Sequence, residues 1–197
     1  MKSIFKKLMP VILITFLSIS LTGCSAKPDE TVKDFFEALK QQDIQKASSF
    51  VKYNSSQKDL KIDKFESKEQ EKMIKDVLSK VDYSLGEVNK DGDTATVKVS
   101  VTAIDLGSIT TKTIGELLPT LMAQSFSEEK VDEKKQQEVI IQHMLNSIND
   151  PNAAKTKTDV TIKLVKDGKE WLIEPNEQLA DALTGNFYSA VQKLGTK

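Results

Sequence analysis

The chain has 197 residues, 39% hydrophobic and 29% charged, a length suited to one well-buried core and short for several domains. Its 28 basic residues are all lysine and stand against 29 acidic ones for a net charge of −1. No basic stripe with interleaved aromatics is present and bidentate arginine contacts cannot form, which argues against a nucleic-acid partner. One cysteine and one histidine leave no internal disulfide and no Cys/His zinc cluster.

The first 24 residues read as a secretory signal. Lys2, Lys6 and Lys7 form a positive start, Leu8 to Leu21 a mostly apolar run, and small residues precede Cys24. That run, weakened by Pro10, Thr15, Ser18 and Ser20, falls short of the roughly 20 apolar residues a membrane span needs. Leu21-Thr22-Gly23-Cys24 resembles the lipobox of bacterial lipoproteins. The resemblance implies removal of residues 1–23 and a diacylglyceryl thioether on the Cys24 sulfur, with 24–30 as lipidated N-terminus and short linker. It also implies a place on the outer face of the cell membrane. Two acyl chains hold a protein there, whereas one chain, at about 0.8 kcal/mol per buried methylene, is marginal.

The globular part is expected from residue 31 to 197. Thr31-Val32-Lys33-Asp34 has the form of a capping box, followed by Val32, Phe35, Phe36 and Leu39 at the spacing of one helical face. Asp43 restarts a helix through Ile44, Ala47, Phe50 and Val51, and the polar run from Tyr53 to Ser67 reads as a loop. Ser67 caps a third helix that buries Met73, Ile74, Val77, Leu78 and Val81.

From Asp82 the apolar period drops to two. Tyr83, Leu85 and Val88 lead to a turn at Asp91-Gly92, after which Ala95, Val97, Val99, Val101 and Ala103 alternate with polar residues. A second hairpin follows with Val160, Ile162 and Leu164, a turn at Asp167-Gly168, and Trp171 with Ile173 before Pro175. Between them, residues 106–152 form an insertion patterned as two helices, near Ile109 to Phe126 with Pro119 inside, and near Glu128 to Ile148. A final helix starts near Asn176, carries Leu179, Ala182, Leu183, Phe187 and Val191, and is interrupted at Gly185-Asn186.

This order argues an α+β domain with helices on one face of a curved antiparallel sheet. Val32-Lys33-Asp34-Phe35-Phe36-Glu37-Ala38-Leu39-Lys40, with Asp43, Ala47 and the closing strand Lys169-Glu170-Trp171-Leu172-Ile173, resembles small Firmicutes-type lipoproteins of cystatin-like or nuclear-transport-factor-2-like fold. The all-lysine composition fits such a Gram-positive source. The two inserted helices and the last helix depart from the minimal pattern of that fold, and the fold itself hosts isomerases, accessory subunits and plain binding domains.

Residues must therefore carry the function. His143 has Val139, Ile140, Asn146 and Ser147 at helical spacing, so no second metal ligand accompanies it and it reads as a half-buried polar residue beside an apolar stripe. Asp105, Tyr53 and Tyr83 are the groups an acid–base enzyme of the ketosteroid-isomerase-like kind would use. No nucleophile–base pair, phosphate loop, cofactor motif or metal site is legible, and the expectation is a non-enzyme. Phe35, Phe36, Phe50, Phe126, Trp171 and Phe187 read as core, with a small apolar ligand between helix and sheet as the alternative. Leu117, Leu118, Leu121 and Met122 on one inserted helix, with Ile141, Met144, Leu145 and Ile148 on the other, read as closing over the sheet. The competing reading makes Leu117, Leu121, Met122, Ile141 and Leu145 a surface for a protein partner.

Overall fold

The computed structural model describes residues 26–53, 65, 67–125 and 133–189. Cys24, Phe126 and Val191 lie outside these residues, as does most of the expected loop after Tyr53. The elements in chain order are α1 (Pro28–Lys40), α2 (Ile44–Ser49), α3 (Lys68–Ser79), β1 (Asp82–Asp91), β2 (Thr94–Ile104), α4 (Leu106–Ser125), α5 (Glu133–Ile148), β3 (Lys155–Asp167), β4 (Glu170–Glu174) and α6 (Glu177–Thr184). The strands form one antiparallel sheet in the order β1-β2-β3-β4, with the two hairpins joined through β2 and β3. The expected α+β class, with helices packed against an antiparallel sheet, is the observed one.

Alternation builds the core. Ala95, Val97, Val99, Val101 and Ala103 are buried on one face of β2, and Val160, Ile162 and Leu164 continue that face on β3. Val32, Phe35, Phe36 and Leu39 of α1 and Leu179, Ala182 and Leu183 of α6 complete the cluster. The opposite face is solvated, as an antiparallel sheet allows, with Lys98, Asp159, Thr161 and Lys163 exposed. Beyond β4, the Ile173 N–H donates to the Phe50 carbonyl at 2.8 Å and the Lys52 N–H to the Ile173 carbonyl at 2.9 Å, so residues 50–52 cover that edge. The other edge, β1, pairs with no further strand among the described residues. Leu85 and Val88 there are 37% and 40% exposed beside a bulge between them that interrupts the ladder.

Two starts differ from the sequence reading. α1 begins at Pro28 rather than at a Thr31 cap, because proline loses nothing at a first-turn position where the N–H has no helical partner. Thr31 is buried inside the first turn, and the linker from Cys24 shortens accordingly. α4 begins at Leu106, because Asp105 caps it, and the described part of α5 begins at Glu133.

The largest difference concerns the inserted helices, which do not close over the sheet. α5 packs on α3 and α4 packs on α5. Val77, Ile104, Leu106, Ile109, Met144 and Ile148 form a second apolar cluster at the base of the pair. There the Asn149 amide donates to an Asp76 carboxylate oxygen at 3.0 Å, tying the end of α5 to α3.

At the same corner α6 ends on Gly185, whose φ is +61°. A Cβ at Gly185 would lie 2.5 Å from the Ile104 carbonyl oxygen and 2.7 Å from the Asp105 Cα, both backbone atoms. Left-handed strain and overpacking each cost about 1–3 kcal/mol. Gly185→Ala is therefore expected to destabilise the domain by about 3 kcal/mol in urea unfolding, whereas Gly92→Ala, also at positive φ but in open space, costs visibly less.

Candidate functional site

Two of the three groups named for acid–base chemistry, Asp105 and Tyr83, hold hydrogen bonds within the fold. Asp105 accepts hydrogen bonds from the Ser108 N–H at 2.9 Å and the Ser108 hydroxyl at 2.8 Å, which makes it the N-cap of α4. Partial burial pushes its carboxyl up, but these bonds and one from the Thr156 hydroxyl outweigh burial and hold it below the usual range. A carboxylate held that way is a poor proton acceptor at neutral pH. Tyr83 donates its hydroxyl to Glu37 Oε1 at 2.8 Å, stacks on Phe36 at 4.6 Å between ring centroids, and is pushed up to about 12 by burial and by the adjacent carboxylate. It fastens β1 to α1. Tyr53 is half-buried beside the segment that pairs with β4.

His143 is half-buried on α5, with Nε2 3.7 Å from Glu116 Oε2 of α4. Among the described residues no three His, Cys, Asp or Glu side chains are grouped to hold a metal ion. Phe35, Phe36 and Trp171 are nearly inaccessible core residues, and Phe50 and Phe187 pack half-buried against the two apolar clusters.

The inserted helices carry the unusual surface. Among the described side chains of α4, Leu106, Ile109 and Thr113 are the buried ones, with Leu117 half-buried in the same direction. On the other side Ile114, Leu118 and Met122 are 55%, 48% and 51% exposed, at spacings of four residues, and Val139 of α5 is 55% exposed. From Leu117 to Ser125 the helix contains no charge. Lys112 and Glu116 are its only ionised groups; they face each other at 3.9 Å, and Glu116 also faces His143. Gly107, Thr111 and Gly115 form a second row beside the large one, and a Cβ built at Gly115 would meet nothing within 4 Å. At the foot of that row an open depression of about 550 Å³ is lined by Asp105, Gly107, Ser108, Thr111, Lys112, Gly185 and Asn186.

Of the residues expected in a partner surface, Met122 is exposed, Leu117 and Ile141 are half-buried, and Leu121 lies on α4. Leu145 is buried and belongs to the interior, because α5 turns that side inward as it approaches the sheet. Ile114, Leu118 and Val139 are exposed large apolar residues that this set leaves out. The signal that locates Ile114 and Leu118 is the side of α4 on which Lys112 and Glu116 do not lie.

No protein-family model and no curated protein matches the chain. Among solved structures it is similar to a candidate lipoprotein (ycdA) from Bacillus subtilis subsp. subtilis str. 168, at 17% identity and a TM-score of 0.42. The likeness covers 80% of this chain and 46% of that one, so the chain spans about half the length of that protein.

Asp76 resembles Asp105 electrostatically. Partial burial raises it, but hydrogen bonds from Lys72 and Asn149 prevail and lower it. Both ionised carboxylates add stability above the ordinary aspartate value of about 4, and that stability is lost as pH falls through it toward the lower folded values. Thermal unfolding is expected at lower temperature at about pH 3 than at about pH 6, with a shallower pH dependence in an Asp76→Asn, Asp105→Asn double variant. Asp105→Ala alone is expected to cost about 1 kcal/mol at neutral pH through loss of the cap.

Proposed function

We propose that this chain is a lipoprotein held on the outer face of the cell membrane through Cys24, and that it is a non-enzymatic interaction module whose contact surface is the outward side of α4. The observation that carries the reading is the exposed row Ile114, Leu118 and Met122 on a helix side without charge. Monomeric domains seldom leave contiguous apolar rows in water unless something else covers them. The anchor rests on the signal and lipobox of residues 1–24, and the start of α1 at Pro28 leaves a tether of only a few residues.

The enzymatic alternative is supported less well. Asp105 is engaged as a helix cap and the Tyr83 hydroxyl is given to Glu37. A carrier of small apolar ligands needs an enclosed apolar cavity of a few hundred Å³, and Phe35, Phe36 and Trp171, which would line it, are packed into the core.

A photoreactive amino acid in place of Leu118, in the full chain expressed in its own cells, is expected to yield a protein adduct that the same group at Lys163 on the open sheet face does not. Cys24→Ala is expected to release the chain from the membrane fraction and to reduce the adduct. Equal labelling from both positions would count against α4 as the contact surface, and tight membrane retention of Cys24→Ala would count against the lipid anchor.

A further inference from the structure

The path of α1 decides which end of the domain the chain enters. Phe36 stacks on Tyr83, Glu37 accepts the Tyr83 hydroxyl, and Lys40 pairs with Asp82 at 3.0 Å, so the C-terminal half of α1 rests on the start of β1. α1 also packs on β4, the opposite edge of the sheet. Those edges are three strand spacings apart, about 14 Å, and a 13-residue helix is about 20 Å long, so it is the N-terminal half of α1 that reaches β4. β4 pairs only with Lys163 to Asp167 of β3, whereas the inserted helices leave and return at Ile104 and Lys155. Lys163 and Lys155 are about 26 Å apart at roughly 3.3 Å per residue. α5 packs on α3, whose Glu71 and Lys75 line a depression with Gln42 and Asp43, just past the C-terminal end of α1. The inserted helices and the first turn of α1 therefore occupy opposite ends of the domain.

Only Ser25 separates Cys24 from Ala26, and Ala26 is already half-buried against the main core. Two residues span at most about 7 Å. We infer that the domain stands on the bilayer by the end that carries β4 and the first turn of α1, with the phospholipid headgroup layer as the occupant of that end and the exposed row of α4 held away from it; this rests on the reading of Cys24 as the lipid anchor. A domain of this size has a radius of gyration of about 15 Å, so turning the chain entry sideways lifts it from the bilayer by about twice what the tether spans. Among the described residues, none of the exposed large apolar side chains belongs to α1, β4 or the turn between β3 and β4, so this end rests on headgroups and does not insert. Lys27 is paired with Glu30 at 2.9 Å and Lys52 with Asp167 at 3.0 Å, exposed ion pairs that leave the tether, more than charge attraction, to set the contact. A partner of α4 then meets it on the side of the domain away from the membrane, through its own extramembrane part.

The test uses the full lipidated chain in phosphatidylcholine vesicles that contain a headgroup-labelled acceptor lipid. A donor fluorophore is attached through Lys169→Cys in the turn before β4, or through Leu118→Cys on α4, Cys24 being silent as a thioether and the chain holding no other thiol. Energy transfer to the headgroups is expected to be severalfold more efficient from position 169 than from position 118. A flexible Gly/Ser insertion between Ser25 and Ala26 is expected to narrow that difference without moving the unfolding temperature, because it releases the orientation and leaves the domain intact. In a chain whose intact mass carries the acyl groups, equal transfer from the two positions, or transfer from neither, would overturn the orientation. More transfer from 118 than from 169 would overturn it too and make the bilayer the occupant of α4 in place of a protein. A Cys24 without acyl groups would take down the anchor reading and the orientation together.

Discussion

The pairing of β2 with β3 is the constraint on which the other elements depend. It runs without a break from Thr94 opposite Val165 to Ile104 opposite Lys155, so the intervening helices must leave and return at one end of the sheet, a strand spacing apart. A chain that departs at Ile104 and comes back at Lys155 is compelled to form a hairpin. The base of that hairpin lies against Val77 and Ile104 and buries Leu106, Ile109, Met144 and Ile148. Farther along, α4 and α5 pack on each other and on α3 rather than on the described strands. Exposure of Ile114, Leu118, Met122 and Val139 is thus a consequence of topology, since a 20-residue helix is about 30 Å long and outruns the support at its base.

The same corner gathers most of the specific backbone chemistry. Asp105 turns the chain from strand to helix by capping α4, its N–H donates to the Ala154 carbonyl at 2.8 Å, and Gly185 lets the end of α6 press on Ile104 and Asp105. An acidic residue at the end of a long strand looks like a catalytic base when only its position along the chain is known. Once the next three residues are folded, the Ser108 N–H and hydroxyl occupy both of its oxygens. A group already satisfied in its ionised form resists protonation, which is why the cap and the base are competing uses of one carboxylate.

Much of the fold was legible in local pattern. The alternation in β2 and β3, the glycine turns at Gly92 and Gly168, the caps at Asp43, Ser67 and Asn176, and the left-handed stop at Gly185 all follow from chemistry within a few residues. The start of α1 was missed because two rules competed: Thr31 offered a side-chain cap, while Pro28 with Asp29 and Glu30 offered a prepared first turn without one. The packing of the inserted helices was not legible, because periodicity reports that a stripe is apolar and not which surface receives it. Leu145 and Leu118 belong to equally plausible stripes in the sequence, and only the three-dimensional path buries the first and exposes the second.

That exposure has an energetic meaning. Fully burying an aliphatic side chain is worth about 1.5–3 kcal/mol, so four side chains left about half exposed withhold roughly 4 kcal/mol from folding. Domain stabilities are only about 5–15 kcal/mol, so the withheld part is a substantial share. Thr110 and Thr113 add to it with hydroxyls that are buried and have no hydrogen-bond partner among the described residues. A helix that holds the Thr110 and Thr113 hydroxyls inside and leaves Ile114, Leu118 and Met122 largely exposed forgoes stability that the contact surface proposed above would restore on being covered.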